Sequence, residues 1–444
     1  METAVEIAES VRSGRRSATD VAREHLARIR EQDSSLGAFV AIDEDNVLAA
    51  AQQVDSHAHR ANLALAGVPV SIKDNVDVAG YPTRHGSAAK SDTPVAEDDE
   101  LVRRLRAAGA VVIGKTKMPE LAIWGVTEPL AFGPARNPWN PARTSGGSTG
   151  GGAAAVAAGM APLALGSDGL GSIRIPCACC GVFGIRPAPG LIPLPGGAST
   201  HWLGLSAFGP LARTVTDAAA MLDVLAEGGF NNLQAPRTPL RVAVSTRHPT
   251  IGASVSHEMK KAVHETGALL QLEGHRIEEA DPPYPSDLAI RLLRRWLPGI
   301  AEDAQGLDPR RLEPRTRKLV RAGRFVQRRG WAAPVSGDSW RVTMARWFEA
   351  HDLLVMPVLA YTAPPVGRWA RGGWFPTVLS VSRWVMTGQW NLAGVAAASI
   401  PAGLAKDGLP LAVQLVAPAG RERLLLEVAA RIESRRPFPT YRAG

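Results

Sequence analysis

Two glycine-rich turns that each present a serine, and one lysine at the end of an apolar run, are the residues of this chain best suited to chemistry. The first turn lies in Arg143-Thr-Ser-Gly-Gly-Ser-Thr-Gly150 and presents Ser148; the second lies in Gly166-Ser-Asp-Gly-Leu-Gly-Ser172 and presents Ser172. The lysine, Lys73, ends Val68-Pro-Val-Ser-Ile-Lys73. A serine attacks a carbonyl only when a base takes its proton and donors stabilise the oxyanion. Lysine, ordinarily charged up to a pKa of about 10.4, becomes a base when burial among residues such as Val68, Val70 and Ile72 disfavours the charged form. Glycine turns let backbone N–H groups crowd a reacting oxygen. The combination points to hydrolysis without metal or histidine. Taken singly, each glycine turn also reads as a plain loop, and Lys73 as a surface lysine at a strand end.

Other motifs are weaker. Gly146-Gly-Ser-Thr-Gly150 satisfies G-x-S-x-G, but that elbow needs a strand directly before it, and Asn137-Pro-Trp-Asn-Pro-Ala-Arg-Thr144 does not read as one. No Gly-Lys-[Ser/Thr] follows the glycines, which excludes a phosphate loop. His85, His201 and His351 show no metal-ligand spacing; His85 either lines a pocket or sits on a solvated loop. Cys177, Cys179 and Cys180 form neither a disulfide framework nor a two-pair metal site, and read as small buried thiols. Trp369 and Trp374, with Arg368 and Arg371, make a candidate lid over an apolar ligand, or a loop packed on its own protein.

The elements that must position these groups read as α/β. Helices are expected at 2–32 (two), 44–60, 96–109, 152–159, 214–227, 254–273, within 287–350 and at 421–434. Strands are expected at 68–72, 110–114, 241–245, 353–357 and 411–415. Strand, helix and strand in that order suggest a parallel or mixed sheet with crossover helices. No repeat or long linker divides the chain, so one domain over 1–444 is expected, with 230–350 its more variable helical part.

The 444 residues are 45% hydrophobic, enough for a large core, and the formal charge is +8. That charge would suit nucleic acid, but the arginines gather in about 291–346 and read as a solvated face, so no nucleic-acid partner is expected. Met1-Glu-Thr-Ala-Val-Glu6 has no signal-peptide character and no stretch reads as a membrane span. A cytoplasmic location and no membrane partner are expected.

The chain resembles the amidase signature family of serine hydrolases. The matching pieces are Val70-Ser-Ile-Lys-Asp-Asn75, Gly114-Lys-Thr-Lys-Met-Pro-Glu-Leu-Ala122, Gly146–Gly159, Gly166–Gly184, Gly209–Asp217, Asn391-Leu-Ala-Gly394, Ser399–Gly403 and Gly408–Gln414. The resemblance runs almost end to end and is weakest at about 230–350. It implies the amidase signature fold, a large mixed β-sheet flanked by helices. It implies a Ser–Ser–Lys triad with Ser172 as nucleophile, Ser148 as the bridging serine after a cis peptide bond, and Lys73 as base. The oxyanion would be held by the backbone N–H groups of Gly169, Leu170, Gly171 and Ser172, and the acyl pocket lined by Leu121, Ala122, Ile123 and Trp124. Asp168 and Arg174 would pair and stiffen the loop. Leu170 departs from the two glycines usual before the nucleophile, and Thr149 from a common second serine. The implied reaction is cleavage of a carboxamide through an acyl-enzyme, with no cofactor, on a small apolar or aromatic amide. A second copy of the chain is the one protein partner left open. Two other readings stand beside it: a glutaminase-type subunit of a tRNA-dependent amidotransferase, and a catalytically silent scaffold. Leu191–Trp202 differs from the usual run of such glutaminase subunits, and the intact Lys73, Ser148 and Ser172 argue against the scaffold.

Overall fold

The computed structural model describes residues 1–236, 238–369 and 373–442. Its strands are β1 (Phe39–Ala41), β2 (Pro69–Lys73), β3 (Val111–Thr116), β4 (Arg136–Asn137), β5 (Asn140–Thr144), β6 (Leu163–Asp168), β7 (Phe183–Arg186), β8 (Ala207–Ala212), β9 (Arg241–Val244), β10 (Arg276–Glu279), β11 (Leu353–Pro357), β12 (Ala396–Leu404) and β13 (Pro410–Ala417). β4 and β5 pair with each other; the rest form one mixed sheet in the order β1-β3-β2-β6-β8-β7-β12-β13-β11-β9-β10. β3, β2 and β6 are mutually parallel, as are β11, β9 and β10. The strands between β6 and β11 are antiparallel to their neighbours.

β2, β3 and β6 are buried throughout. Their near-continuous apolar runs, such as Val-Val-Ile113 and Leu-Ala-Leu165, are what strands covered on both faces require. One cover is the helix Gly150–Ala157, all of whose residues are buried. Small residues let it lie this close: a Cβ on Gly151 would stand 2.3 Å from the Ala38 carbonyl oxygen. Val70 pairs with Leu163 and Ile72 with Leu165, so β2 and β6 leave the sheet side by side. Lys73 and Ser167 therefore share the carboxyl edge of parallel strands, where α/β sheets build their sites.

Several elements differ from the sequence expectation. β1, β4, β6, β7, β8, β10 and β12 are additions to it: Phe-Gly-Ile-Arg, Ala-Phe-Gly-Pro-Leu-Ala and the alanine-rich β12 have poor strand propensity, and in β6 the apolar run Leu163-Ala-Leu165 is only three residues long before the glycine turn. Pairing with buried neighbours overrides it. β5 corrects the reading of 137–144 as strandless, although this strand belongs to the small hairpin and not to the main sheet. The helices expected at 44–60 and 96–109 are shorter, Glu44–Asp55 and Glu100–Ala107; Asp99 caps the second by accepting from the Leu101 N–H at 3.0 Å. Region 287–350 resolves into Leu288–Asp303, Pro314–Arg328 and Ser339–Ala350. Among the described residues, no helix is long and apolar enough to cross a membrane.

Candidate active site

Lys73 ends β2 and is fully buried. Burial pushes its pKa down to about 7, with the Asp168 carboxylate pulling the other way. Near neutral pH the amine is thus often uncharged. Its Nζ makes hydrogen bonds of 2.6 Å with Ser148 Oγ and 2.8 Å with Ser167 Oγ. Asn75 Nδ2 donates to the same Ser167 hydroxyl at 3.1 Å. Sequence reasoning does not single out Ser167 and Asn75; the signal it offers is that Ser167 sits one residue before Asp168, at the end of the strand beside β2.

The Gly147–Ser148 peptide is cis, as the resemblance implied. Gly147 lies hard against the chain at 124–126: a Cβ there would stand 2.7 Å from Val126 N and 2.8 Å from Trp124 O. Ser172 is 8% exposed. Its carbonyl accepts the Thr149 N–H at 3.1 Å, which ties the two serine turns together. Among the described residues no hydrogen bond joins the Ser148 and Ser172 hydroxyls, so the expected relay shows its first link and not its second. Such links often tighten only with substrate bound.

Asp168 is the hub of the second turn. It is fully buried and pairs with Arg174 through Nε at 3.0 Å and Nη2 at 3.1 Å. It also accepts from Asn391 Nδ2 at 2.8 Å and from the N–H groups of Gly171 (2.6 Å) and Ile173 (3.2 Å). Burial works against the charged carboxyl, but the adjacent Arg174 guanidinium holds its pKa far below the usual range. One expectation is corrected here. The Gly171 N–H points inward to Asp168 and is not open to a substrate oxygen. The N–H groups of Gly169, Leu170 and Ser172 have no protein acceptor among the described residues. Gly171 serves the turn by its lack of a side chain, since with φ at 121° a Cβ on it would stand 2.0 Å from Thr387 Oγ1. Leu170 has no positive φ, so its side chain costs the turn no backbone strain. That side chain lies toward Gly388 and Leu292, being 3.3 Å from a Cβ placed on Gly388.

Leu121, Ile123 and Trp124 are buried and Ala122 partly so. Leu121 and Ala122 both adopt left-handed φ, 51° and 58°. The Leu121 N–H is held by the His85 carbonyl at 2.8 Å, so the His85 loop braces this wall. Trp124 meets Trp296 edge-on at 6.5 Å, and the Arg315 guanidinium covers its ring at 4.9 Å. Arg315, which covers that ring, is already paired with Glu313, and on the helix that carries Trp296, Arg295 pairs with Asp338 and Arg291 with Asp287 and Asp338. Trp369 is no free lid. It is 5% exposed, donates to Ser380 Oγ at 2.9 Å and packs 5.4 Å from Trp384. Arg371 lies outside the described residues.

Comparison with known proteins bears on this geometry. The family model described as Amidase matches residues 20–426. The chain is 45% identical to "Putative amidase AmiB2" of Mycobacterium tuberculosis, over 93% of this chain and 92% of that one. A solved 6-aminohexanoate cyclic dimer hydrolase, complexed with substrate, superposes with a TM-score of 0.87 at 31% identity, covering 98% of this chain and 97% of its own. One subunit of the glutamyl-tRNA(Gln) amidotransferase of Thermotoga maritima shares the fold, with a TM-score of 0.76 at 24% identity over 96% and 95% of the two chains.

Proposed function

The chain belongs to the amidase signature family and hydrolyses amide C–N bonds; from that premise we propose that it does so through an acyl-enzyme on Ser172, with Ser148 and Lys73 as its proton relay. The observation that carries this is the fully buried Lys73 amine, with a pKa near 7, placed 2.6 Å from Ser148 Oγ. Ser172 Oγ adds to the amide carbon and passes its proton to Ser148, whose own proton goes to Lys73 Nζ. The N–H groups of Gly169, Leu170 and Ser172 hold the resulting oxyanion. On collapse the C–N bond breaks and the relay returns the proton to nitrogen, which leaves as neutral amine or ammonia. Water then adds to the Ser172 ester by the same relay and frees the carboxylate.

The substrate we propose is a small apolar or aromatic amide. Leu170, Leu292, Trp124 and Trp296 supply apolar surface beside the turn, and Arg315 and Arg295 are already ion-paired with Glu313 and Asp338. The likeness to a 6-aminohexanoate cyclic dimer hydrolase also favours an uncharged amide rich in methylenes. The glutaminase-subunit reading has only shared fold in its support. Three free, buried cysteines, Cys177, Cys179 and Cys180, fit a reducing cytoplasm. The test is acid quench during turnover of an aryl amide, followed by mass spectrometry. An acyl adduct on the peptide carrying Ser172, absent in Ser172→Ala, is expected; an adduct elsewhere, or hydrolysis by Ser172→Ala above about 1% of the wild-type kcat, overturns the assignment.

A further inference from the structure

Outside the Lys73–Ser148–Ser172 set, four side chains form a chain of hydrogen bonds, Ser206–His201–Asp303–Trp202, beside the first glycine of the nucleophile turn. His201 Nδ1 lies 2.6 Å from Ser206 Oγ, and its Nε2 lies 3.1 Å from Asp303 Oδ1. The Trp202 indole N–H donates to Asp303 Oδ2 at 2.7 Å. The imidazole stacks on that indole with centroids 5.3 Å apart. A carboxylate only accepts, so the neutral ring carries its hydrogen on Nε2 and takes the Ser206 O–H on Nδ1. Burial opposes the charged Asp303, but its bonds from His201 and Trp202 hold the carboxyl below its ordinary pKa.

The indole is wedged between two glycines. A Cβ on Gly169 would stand 2.6 Å from Trp202 Cε3 and 3.3 Å from Ser206 Oγ, and one on Gly299 would stand 2.4 Å from Trp202 Cδ1. Trp202 and Leu203 both adopt left-handed φ, 49° and 55°. Side chains hold that conformation only where their surroundings over-determine it. Asp303 and Gly299 lie on the helix Leu288–Asp303, whose Trp296 and Leu292 face Trp124 and the Leu170 side.

We infer that Asp303, acting through Trp202 and His201, positions Gly169 and thereby aims its N–H at the oxyanion. The inference rests on the proposal that this N–H is an oxyanion donor. Asp303, His201 and Trp202 are positioning residues, since none of them touches the reacting atoms. Ser206, His201 and Asp303 are the residue types of a hydrolytic triad, but Ser206 is 5% exposed and packed on Gly169, so the set braces the turn and does not attack. Preorganised donors act on the transition state more than on bound substrate, so loosening one lowers kcat and spares KM.

The test is Asp303→Asn and Trp202→Phe, with Ser172→Ala in parallel. Rates on hexanamide are divided by the number of active sites titrated with a fluorophosphonate, and the labelled peptide is identified. Both brace variants should lose about tenfold to a hundredfold in kcat per labelled site with KM within about twofold, and the label should stay on Ser172. An unchanged kcat per site, whether accompanied by a raised KM or by fewer titratable sites, overturns the inference, as does a label on Ser206. If Ser172→Ala remains active the nucleophile assignment fails; if it is dead while Asp303→Asn keeps full kcat, only the brace fails.

Discussion

In the proposed relay a lysine serves as base because its surroundings remove the water that would hold its proton. Lys73 is fully buried, and its hydrogen-bond partners are two serines. Its folded pKa, lowered to about 7, lies below the ordinary lysine value. The amine is protonated and useless below that pH, and neutral above it. kcat/KM should therefore rise with pH through an apparent pKa near 7 and fall about tenfold per unit on the acid side; a flat profile from about pH 5 to 9 would count against Lys73 as base. Lys73→Ala should lose about as much kcat as Ser172→Ala, of order a thousandfold, and Ser148→Ala somewhat less. The Lys73→Ala/Ser172→Ala double variant should be no worse than either single one, because relay members act as a unit. Gly171→Ala should fold poorly or not at all, since its methyl would meet Thr387 Oγ1 at 2.0 Å with φ at 121°; the yield of soluble protein and its melting temperature measure this.

At the scale of elements, the turn that carries Ser172 is held by contacts reaching across the sheet. Arg174 joins Asp168 of β6 to Gln414 of β13 (3.1 Å) and to the Thr387 carbonyl (3.2 Å). Arg174→Met would leave the Asp168 carboxylate buried without its countercharge, and should cost about 3–5 kcal/mol of stability in urea unfolding. The helix Leu288–Asp303 supplies the facing wall through Leu292 and Trp296. Each methylene buried there contributes about 0.8 kcal/mol. Benzamide or hexanamide should thus exceed acetamide by an order of magnitude or more in kcat/KM, and malonamate should be poor. A preference for malonamate would mean that an arginine leaves its carboxylate to hold the substrate. Some of these elements are legible in the sequence and some are not. The apolar runs of β2 and β3 mark themselves, whereas the three-residue run Leu163-Ala-Leu165 of β6 does not. β8, with Gly209 and Pro210, and the alanine-rich β12 become strands only because buried neighbours pair with them.

For the whole molecule, the proposed relay draws on Lys73, Ser148 and Ser172 of one chain, so the purified protein should hydrolyse amides alone, and dialysis against EDTA should leave kcat within about twofold. Loss restored by zinc would overturn the metal-free mechanism. The division between sequence and structure follows from what each kind of information depends on. Residue types at fixed spacing settle the available chemistry, and the run of motifs from Val70 to Gln414 settles the family, because both are properties of the chain in order. Direction and protonation are not. The Gly171 N–H turns to Asp168 and the Lys73 amine is driven toward neutrality. Trp202 closes on Gly169 under the hold of Asp303, about a hundred positions away in the chain. Each of these depends on distances between residues remote in sequence, and on water excluded by every neighbour at once, so only the tertiary structure decides them.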